Sequence, residues 1–417
     1  MKRLIGTLSV GAWMLSLAFA QLSMAQAIIP QSSVERPADV GVRAHTNVRI
    51  VVPAGGLALG PEAEQPAAGG PPFPGFLFET PASLACVYEL VTTLQPGCNP
   101  NTTTVNPSGG AKVIAIVDAY HDPTAASDLN HFSKQFGLPP AKLTVVFATG
   151  FIPQLDPTGG WELEESLDIE MTHAMAPKAK IFLVEARSNL LRDLLQAEDV
   201  ASRIVASHGG GEISNGWGGS EFPGESLFDS HFAKNKVVYL AAAGDSPGVN
   251  YPATSPNVVA VGGTSISRDL VTGAFLGESA WQETGGGPSA FEPIPSYQSV
   301  ISGIVGTARG TPDIAMDADL DSGVWIYDSN PIDGQKGWTI AGGTSVSSAL
   351  MAGIINAAGN FYTSTNAELT VVYGNLGNAS DFRDITTGNC GPYEAFDATV
   401  GWDFCTGVGS DLGLPGK

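Results

Sequence analysis

Residues 113–118 read Val113-Ile114-Ala115-Ile116-Val117-Asp118. Five consecutive apolar residues leave no polar face, which fits a strand covered on both sides, as in a parallel sheet. Working outward, similar runs occur at Leu143 to Phe147, Ile181-Phe182-Leu183-Val184, Val237-Val238-Tyr239-Leu240-Ala241 and Val258-Val259-Ala260-Val261. Between them lie segments with helical character: one running through Asp128 to Phe136, one over about 162–175, and an amphipathic one over 189–204. Apolar strands alternating with helices predict an α/β fold, a mostly parallel central sheet with helices on both faces. In such sheets, sites gather at the carboxyl ends of the strands. Asp118 ends the first strand, and Asp245 follows a later one in Ala243-Gly244-Asp245-Ser246.

The tetrapeptide Gly-Gly-Thr-Ser occurs twice, at 262–265 and 342–345. Ser265 precedes Ile266-Ser267-Arg268-Asp269, which reads as a strand end entering a turn. Ser345 precedes an uncharged run from Val346 to Ala358, about three helical turns and uniform enough to be buried all round. A serine on a glycine-rich turn at the mouth of a buried helix sits beside unpaired N–H groups and the positive end of the macrodipole. Such a turn can present a nucleophile and help hold an oxyanion.

A serine nucleophile needs a base. The six histidines are His45, His121, His131, His173, His208 and His231, and none lies in a His-Gly-x-His setting. His208, before Gly209-Gly210-Gly211, comes nearest. Carboxylates offer themselves instead. Glu164 and Asp168 are spaced i, i+4 on one helix face, bordering the apolar stripe of Leu163, Leu167, Met171 and Ala174. Like charges at this spacing repel, so near a core they share a proton or work in acid. With Glu162, Glu165 and Glu170 close by, the alternative is a solvated acidic face.

The chain has 417 residues, with 41 acidic against 20 basic, which speaks against nucleic acid or an anionic membrane as a partner. Residues 1–27 open on Met1-Lys2-Arg3, continue with the apolar stretch Leu4 to Ala20, and reach Ser23-Met24-Ala25-Gln26-Ala27. That order describes a signal peptide cut near Ala25 or Ala27, and implies an extracellular or periplasmic destination. Residues 28–80 are rich in Pro, Gly and Ala and read as an extended leader or short propeptide, with only Val48 to Val52 resembling a strand. The four cysteines form two close pairs, Cys86 with Cys98 and Cys390 with Cys405, expected as two disulfides in an exported chain.

With these residues in place, the chain resembles the sedolisins, the serine-carboxyl peptidases of family S53, from about Leu84 to Gly413. Glu164-Glu165-Ser166-Leu167-Asp168 is similar to the family's Glu-x-x-Leu-Asp helix, and Ala243-Gly244-Asp245-Ser246 to its oxyanion loop. Tyr251-Pro252-Ala253-Thr254-Ser255-Pro256, running into Gly262-Gly263-Thr264, resembles a structural strand of the family. Pro295-Ser296-Tyr297-Gln298 and Pro312-Asp313-Ile314 also fit. The resemblance implies a subtilisin-like single catalytic domain over 81–417. It implies an acid-acting endopeptidase in which Ser345 attacks, Glu164 is general base and acid, Asp168 orients it and Asp245 donates to the oxyanion. It also implies that Asp118 and Trp217 extend the carboxylate network, although the family often has Glu at the first position.

The resemblance further implies one structural Ca2+ near the C-terminus, bound by Asp384, Ile385, Thr399, Gly401 and Asp403, with Thr399 where the family has glycine. These are hard oxygen donors of the kind calcium takes. Ala349 stands where the family usually has proline, and the leader is far shorter than the family's folded prodomain. The expected partners are protein or peptide substrates, with no nucleic acid and no membrane, and the expected state is a monomer. Two competing expectations are a subtilisin-type protease using Asp118, a histidine and Ser345, and a non-catalytic extracellular binding protein.

Overall fold

Strand β1 (Val113–Ala119) is buried along its whole length, and its side chains divide between two cores. Val113, Ala115 and Val117 belong to the cluster containing Leu194, Leu195 and Val205, while Ile114 joins Leu167 and Met171 on the other face. Ile116 packs there with Leu129 and Ile169. The period of two therefore carries Asp118 to the face of Ile114 and Ile116, under the helix that bears Glu164 and Asp168.

The structure is a computed structural model that describes residues 26–52, 69–332 and 334–417. The remaining parallel strands are β2 (Lys142–Phe147), β3 (Lys180–Ala186), β4 (Gly211–Asn215), β5 (Val237–Ala242), β6 (Val259–Arg268), β7 (Ile314–Asp317) and β8 (Ser410–Asp411). Their order is β2-β3-β1-β4-β5-β6-β7-β8, and every neighbouring pair is parallel. Two short strands, Phe275–Ala280 on β6 and Phe382–Arg383 on β8, add antiparallel pairs. The mostly parallel sheet, with helices on both faces of one domain, is the subtilisin-like architecture expected. The first Gly-Gly-Thr-Ser lies inside β6, as its sequence suggested.

Four helices position the site: α1 (Ala125–Phe136), α2 (Gly160–Met175), α3 (Leu191–Ser207) and α4 (Thr344–Ala358). Helix α3 has exposed and buried sides, as its amphipathic pattern predicts, whereas every residue of α2 is buried. The acidic face considered for α2 is thus not solvated. Helices α2 and α4 approach closely at Gly353, where a Cβ would lie 2.6 Å from that of Met175. This contact sets the carboxylates of α2 against the first turn of α4.

Strand β4 had no apolar run to announce it, because its polar side chains find partners inside. Glu212 Oε2 accepts from Asn356 Nδ2 at 2.6 Å, Ser214 Oγ meets Ser348 Oγ at 3.0 Å, and Asn215 Nδ2 donates to the Leu240 carbonyl at 3.0 Å. Two of the three partners lie on α4, so this strand reads as polar although it is fully buried.

The described part of the leader is built into the body rather than extended from it. Gln26–Ile28 pairs with Arg49–Val52, which pairs with Gln335–Gly342, itself paired with Val324–Ile332, all antiparallel. His45–Thr46 pairs with Trp217–Ser220. The strand expected at Val48 to Val52 is therefore present, but as part of a sheet with residues of the body. Such pairing uses backbone groups, which composition does not reveal. The proposed signal peptide falls on residues outside those described, apart from Gln26 and Ala27. Among the described residues no helix is long and apolar enough to cross a membrane. Both disulfides form, Cys86 with Cys98 and Cys390 with Cys405.

Candidate active site

Ser345 is the second residue of α4, fully buried, and its backbone N–H is one of the amino-terminal donors that find no partner within the helix itself. Gly343, just before the helix, has φ +109° and admits no side chain: a Cβ there would lie 2.1 Å from Asn47 O and 2.5 Å from Asp245 Oδ2. The second Gly-Gly-Thr-Ser is thus a tight turn that brings a serine, a carboxyl and a foreign carbonyl to one place.

Asp245 is fixed by this turn. Its Oδ1 accepts from the Thr344 N–H at 2.8 Å and the Thr344 hydroxyl at 2.9 Å, while buried Oδ2 has no hydrogen-bond partner. Burial pushes its pKa up to about 7, against the Thr344 hydrogen bonds and the Arg49 guanidinium, which favour the ionised form.

On the other side of Ser345, a Cβ on Gly216 would lie 2.0 Å from Glu164 Oε1, 3.0 Å from Asp168 Oδ2 and 3.0 Å from Ser345 Oγ. These three oxygens surround a point that only glycine leaves open. The Ser345 hydroxyl donates to the Gly216 carbonyl at 2.7 Å. Glu164 and Asp168 are completely buried, and their oxygens have no hydrogen-bond partner at contact distance. Burial raises the pKa of Glu164 well above its usual range, with the charges of Asp168 and Asp118 adding to it. Asp168 is raised by burial too, opposed by the Gly216 backbone. Asp118, buried at the end of β1, is raised by burial and then by Asp168 and Glu185. Three adjacent carboxyls in one dry pocket cannot all ionise, so protons are shared among them.

An extended peptide segment already occupies the cleft. The Asn47 N–H donates to Gly216 O at 3.1 Å, and the Ser345 N–H donates to Asn47 O at 3.2 Å. Upstream, His45 is paired with Gly218 and Thr46 with Trp217; downstream, Arg49 is paired with Gly342. The segment crosses from one wall of the cleft to the other with a single carbonyl on the Ser345 amide.

The chain is similar to known proteins. The chain is 31% identical over 352 residues to kumamolisin of Bacillus sp. (strain MN-32), covering 73% of this chain and 59% of that protein. It is 34% identical over 191 residues to sedolisin of Pseudomonas sp. (strain 101), covering 40% of this chain and 29% of that one. The solved structure of Pseudomonas sedolisin, a serine-carboxyl proteinase complexed with two molecules of pseudo-iodotyrostatin, superposes with a TM-score of 0.64 at 25% identity, over 80% of this chain and 95% of that one. The chain is thus similar to the sedolisin family over most of its length. It spans less than two thirds of the length of the curated relatives it matches. No protein-family model matches it. Sphericase shares the fold, with a TM-score of 0.51 at 17% identity, over 79% of this chain and 97% of that one.

Two further motifs of the resemblance, those of Gln298 and Asp313, prove to be one buried network. Asp313 takes a two-pronged pair from Arg309, at 2.7 and 2.5 Å, and accepts from the Tyr373 hydroxyl at 2.8 Å and the Ala260 N–H at 2.8 Å. Gln298 donates to that same hydroxyl at 2.7 Å. These residues hold strand ends together and lie outside the cleft.

Neither His173 nor His208 reaches the carboxylate pocket, while His121 Nδ1 lies 2.8 Å from Oε2 of Glu185, the carboxyl that also acts on Asp118. His173 is buried on α2, with Nε2 at 2.9 Å from the Pro139 carbonyl, and burial lowers its pKa. His208 caps the end of α3 at the exposed Ile204 carbonyl. The arrangement of Asp118, a histidine and Ser345 is not assembled by either. Trp217 does not join the network as implied: its indole N–H donates to the Val117 carbonyl at 2.9 Å, one residue short of Asp118.

At the proposed calcium corner, both Asp384 oxygens accept from the Gly401 N–H, at 3.2 and 3.1 Å. Asp403 Oδ1 accepts from the Cys405 and Thr406 N–H groups and Oδ2 from that of Thr399, each at 2.9 Å. The donors are of the right chemical type, but as they stand the loop turns N–H groups toward both carboxylates and forms no oxygen cage. Among the described residues no cluster of three or more His, Cys, Asp or Glu side chains suits a metal.

Asn47 and Arg49 belong to the cleft and went unseen in the sequence. Their roles depend on backbone position or on pairing across long separations, so no local pattern marks them.

Proposed function

We propose that the chain is a secreted serine-carboxyl endopeptidase that hydrolyses peptide bonds in acid through an acyl-enzyme on Ser345. One observation carries this reading: a peptide carbonyl, that of Asn47, lies on the Ser345 N–H beside the free oxygen of Asp245. That is where the carbonyl of a scissile bond would have to sit.

In this mechanism the Ser345 hydroxyl turns from the Gly216 carbonyl to Glu164, which takes its proton as Oγ attacks. Asp168 accepts part of the charge, with Asp118 behind it. The developing oxyanion is held by the Ser345 N–H and by protonated Asp245. Glu164 then returns its proton to the leaving amine, and water repeats the sequence on the acyl-enzyme. A carboxyl can serve as base in acid, where imidazole is already protonated.

The register also gives the leader a role. Residues 28–80 would act as a short propeptide, with residues 45–49 held in the cleft like a substrate and Asn47–Val48 as the bond presented. For the corner at Asp384 and Asp403, Ca2+ is proposed from donor chemistry alone. It would compete with backbone N–H groups, so a thermal midpoint equal in calcium and in chelator would remove it. The catalytic reading is tested by digesting a protein substrate at pH 4 with the wild type and Ser345→Ala. Equal inactivity of both would leave an extracellular binding protein as the better account.

A further inference from the structure

The segment in the cleft shows how the enzyme holds a peptide on the leaving-group side of the bond. Arg49 is the second residue after Asn47, and its guanidinium is gripped by the body of the protein. Nη1 donates to the Glu283 carboxylate, and Nη2 donates to the Asp245 carbonyl at 2.5 Å. Its Cζ stands 5.4 Å from the centre of the Trp281 ring, a cation–π distance. Trp281 is buried, so the ring is a fixed wall. All three partners belong to the body and stay when the leader departs.

A second observation points the same way. Beside this grip opens a cleft of 570 Å³ lined by Trp281, Glu283, Asp319 and Asp321, among others, and no Lys or Arg contributes to its lining. A negative, aromatic-walled cleft suits a cationic side chain and gives an acidic one nothing to pair with.

From this we infer that Glu283, Trp281 and the Asp245 carbonyl form a specificity subsite for a basic side chain, Arg or Lys, two residues after the scissile bond. The inference rests on the peptidase reading and on the substrate-like register of 45–49. Arg fills the subsite better than Lys, because a planar guanidinium can bond two acceptors while lying over an aromatic face.

The test uses acid-treated full-length enzyme and quenched fluorescent peptides built on Ala-His-Thr-Asn-Val-X-Ile-Val, where X is Arg, Lys, Gln or Glu. The expected order in kcat/KM is Arg, Lys, Gln, Glu, with Arg about tenfold over Gln, the size of one charge-assisted hydrogen bond. Glu283→Gln should shrink the ratio of Arg to Gln, and Glu283→Arg should move the preference to X = Glu. Equal cleavage of all four peptides by the wild type would overturn the subsite while leaving the peptidase standing. Cleavage of none, with Ser345→Ala indistinguishable from the wild type, would overturn both.

Discussion

The backbone N–H of Ser345 donates to the carbonyl oxygen of Asn47 at 3.2 Å, across nearly three hundred residues of sequence. The turn that carries Ser345 therefore holds a peptide group of its own chain. Strand pairing on both sides fixes the register, through His45 with Gly218 and Arg49 with Gly342. A one-residue slip would move every leader side chain to the opposite face.

Acid incubation of the full chain should therefore release a fragment ending at Asn47 and leave a new terminus at Val48. Intact-mass measurement and terminal sequencing would detect it, and Ser345→Ala should remain uncut. Arg49 lies 3.8 Å from Asp245 Oδ2, where its charge favours ionisation of the carboxyl that must donate. Self-cleavage should accordingly need lower pH than cleavage of a peptide with Gln at that position. A cut elsewhere in 28–52, with 47–48 intact, would show that the register is not productive.

Asp245 predicts the alkaline limit of activity. Its pKa is pushed up to about 7, and only the protonated form can donate to the oxyanion. Activity should be full below this value and decline as pH rises through it. Asp245→Ala should lower kcat by about 10² to 10³, the usual cost of one lost oxyanion donor. Asp245→Asn keeps a donor that does not titrate, so its residual activity should persist above pH 7. A pH profile with the same alkaline limb in the Asn variant would refute this role.

Glu164→Gln removes the proposed base with little change of shape. It should cost about 10² to 10⁴ in kcat, the range for general acid–base catalysis, without unfolding the chain. His173→Ala should leave kcat near the wild type and act only through stability, because its ring is committed to the Pro139 carbonyl. A collapse of kcat in the histidine variant, measured on folded protein, would restore the histidine mechanism.

Much of this was legible from residue patterns. Val113 to Val117 and its fellow runs gave away strands covered on two faces, and the i, i+4 spacing of Glu164 and Asp168 put both on one side of a helix. Where the reading fell short, pattern and environment part company. The glutamates of α2 look like a wet surface, yet all are buried, because α1, α4 and the sheet enclose the helix. Strand β4 looks polar because its partners lie on α4, over a hundred residues away. The leader looks formless because its order comes from backbone pairing with distant strands. Trp217 is near the network by chain position, but its N–H is spent on Val117.

Buried carboxyls elsewhere in the fold make stability a function of pH in an unusual direction. Glu185, Glu212 and Glu368 are raised to about 8 and Asp245 to about 7, each chiefly by burial. In the unfolded chain such groups ionise near pH 4. Between about pH 4 and 8 the folded form thus holds more protons than the unfolded one, so stability falls as pH rises. The full contribution is present below about pH 4 and is lost as the folded values are passed. The thermal midpoint should drop by roughly 5 °C or more between pH 4 and pH 8. Glu212→Gln keeps the shape that receives the Asn356 amide but cannot ionise, so it should narrow that difference. Thermal scans across this range decide the matter: a midpoint that rises toward neutral pH would mean these carboxyls are not held protonated by the fold.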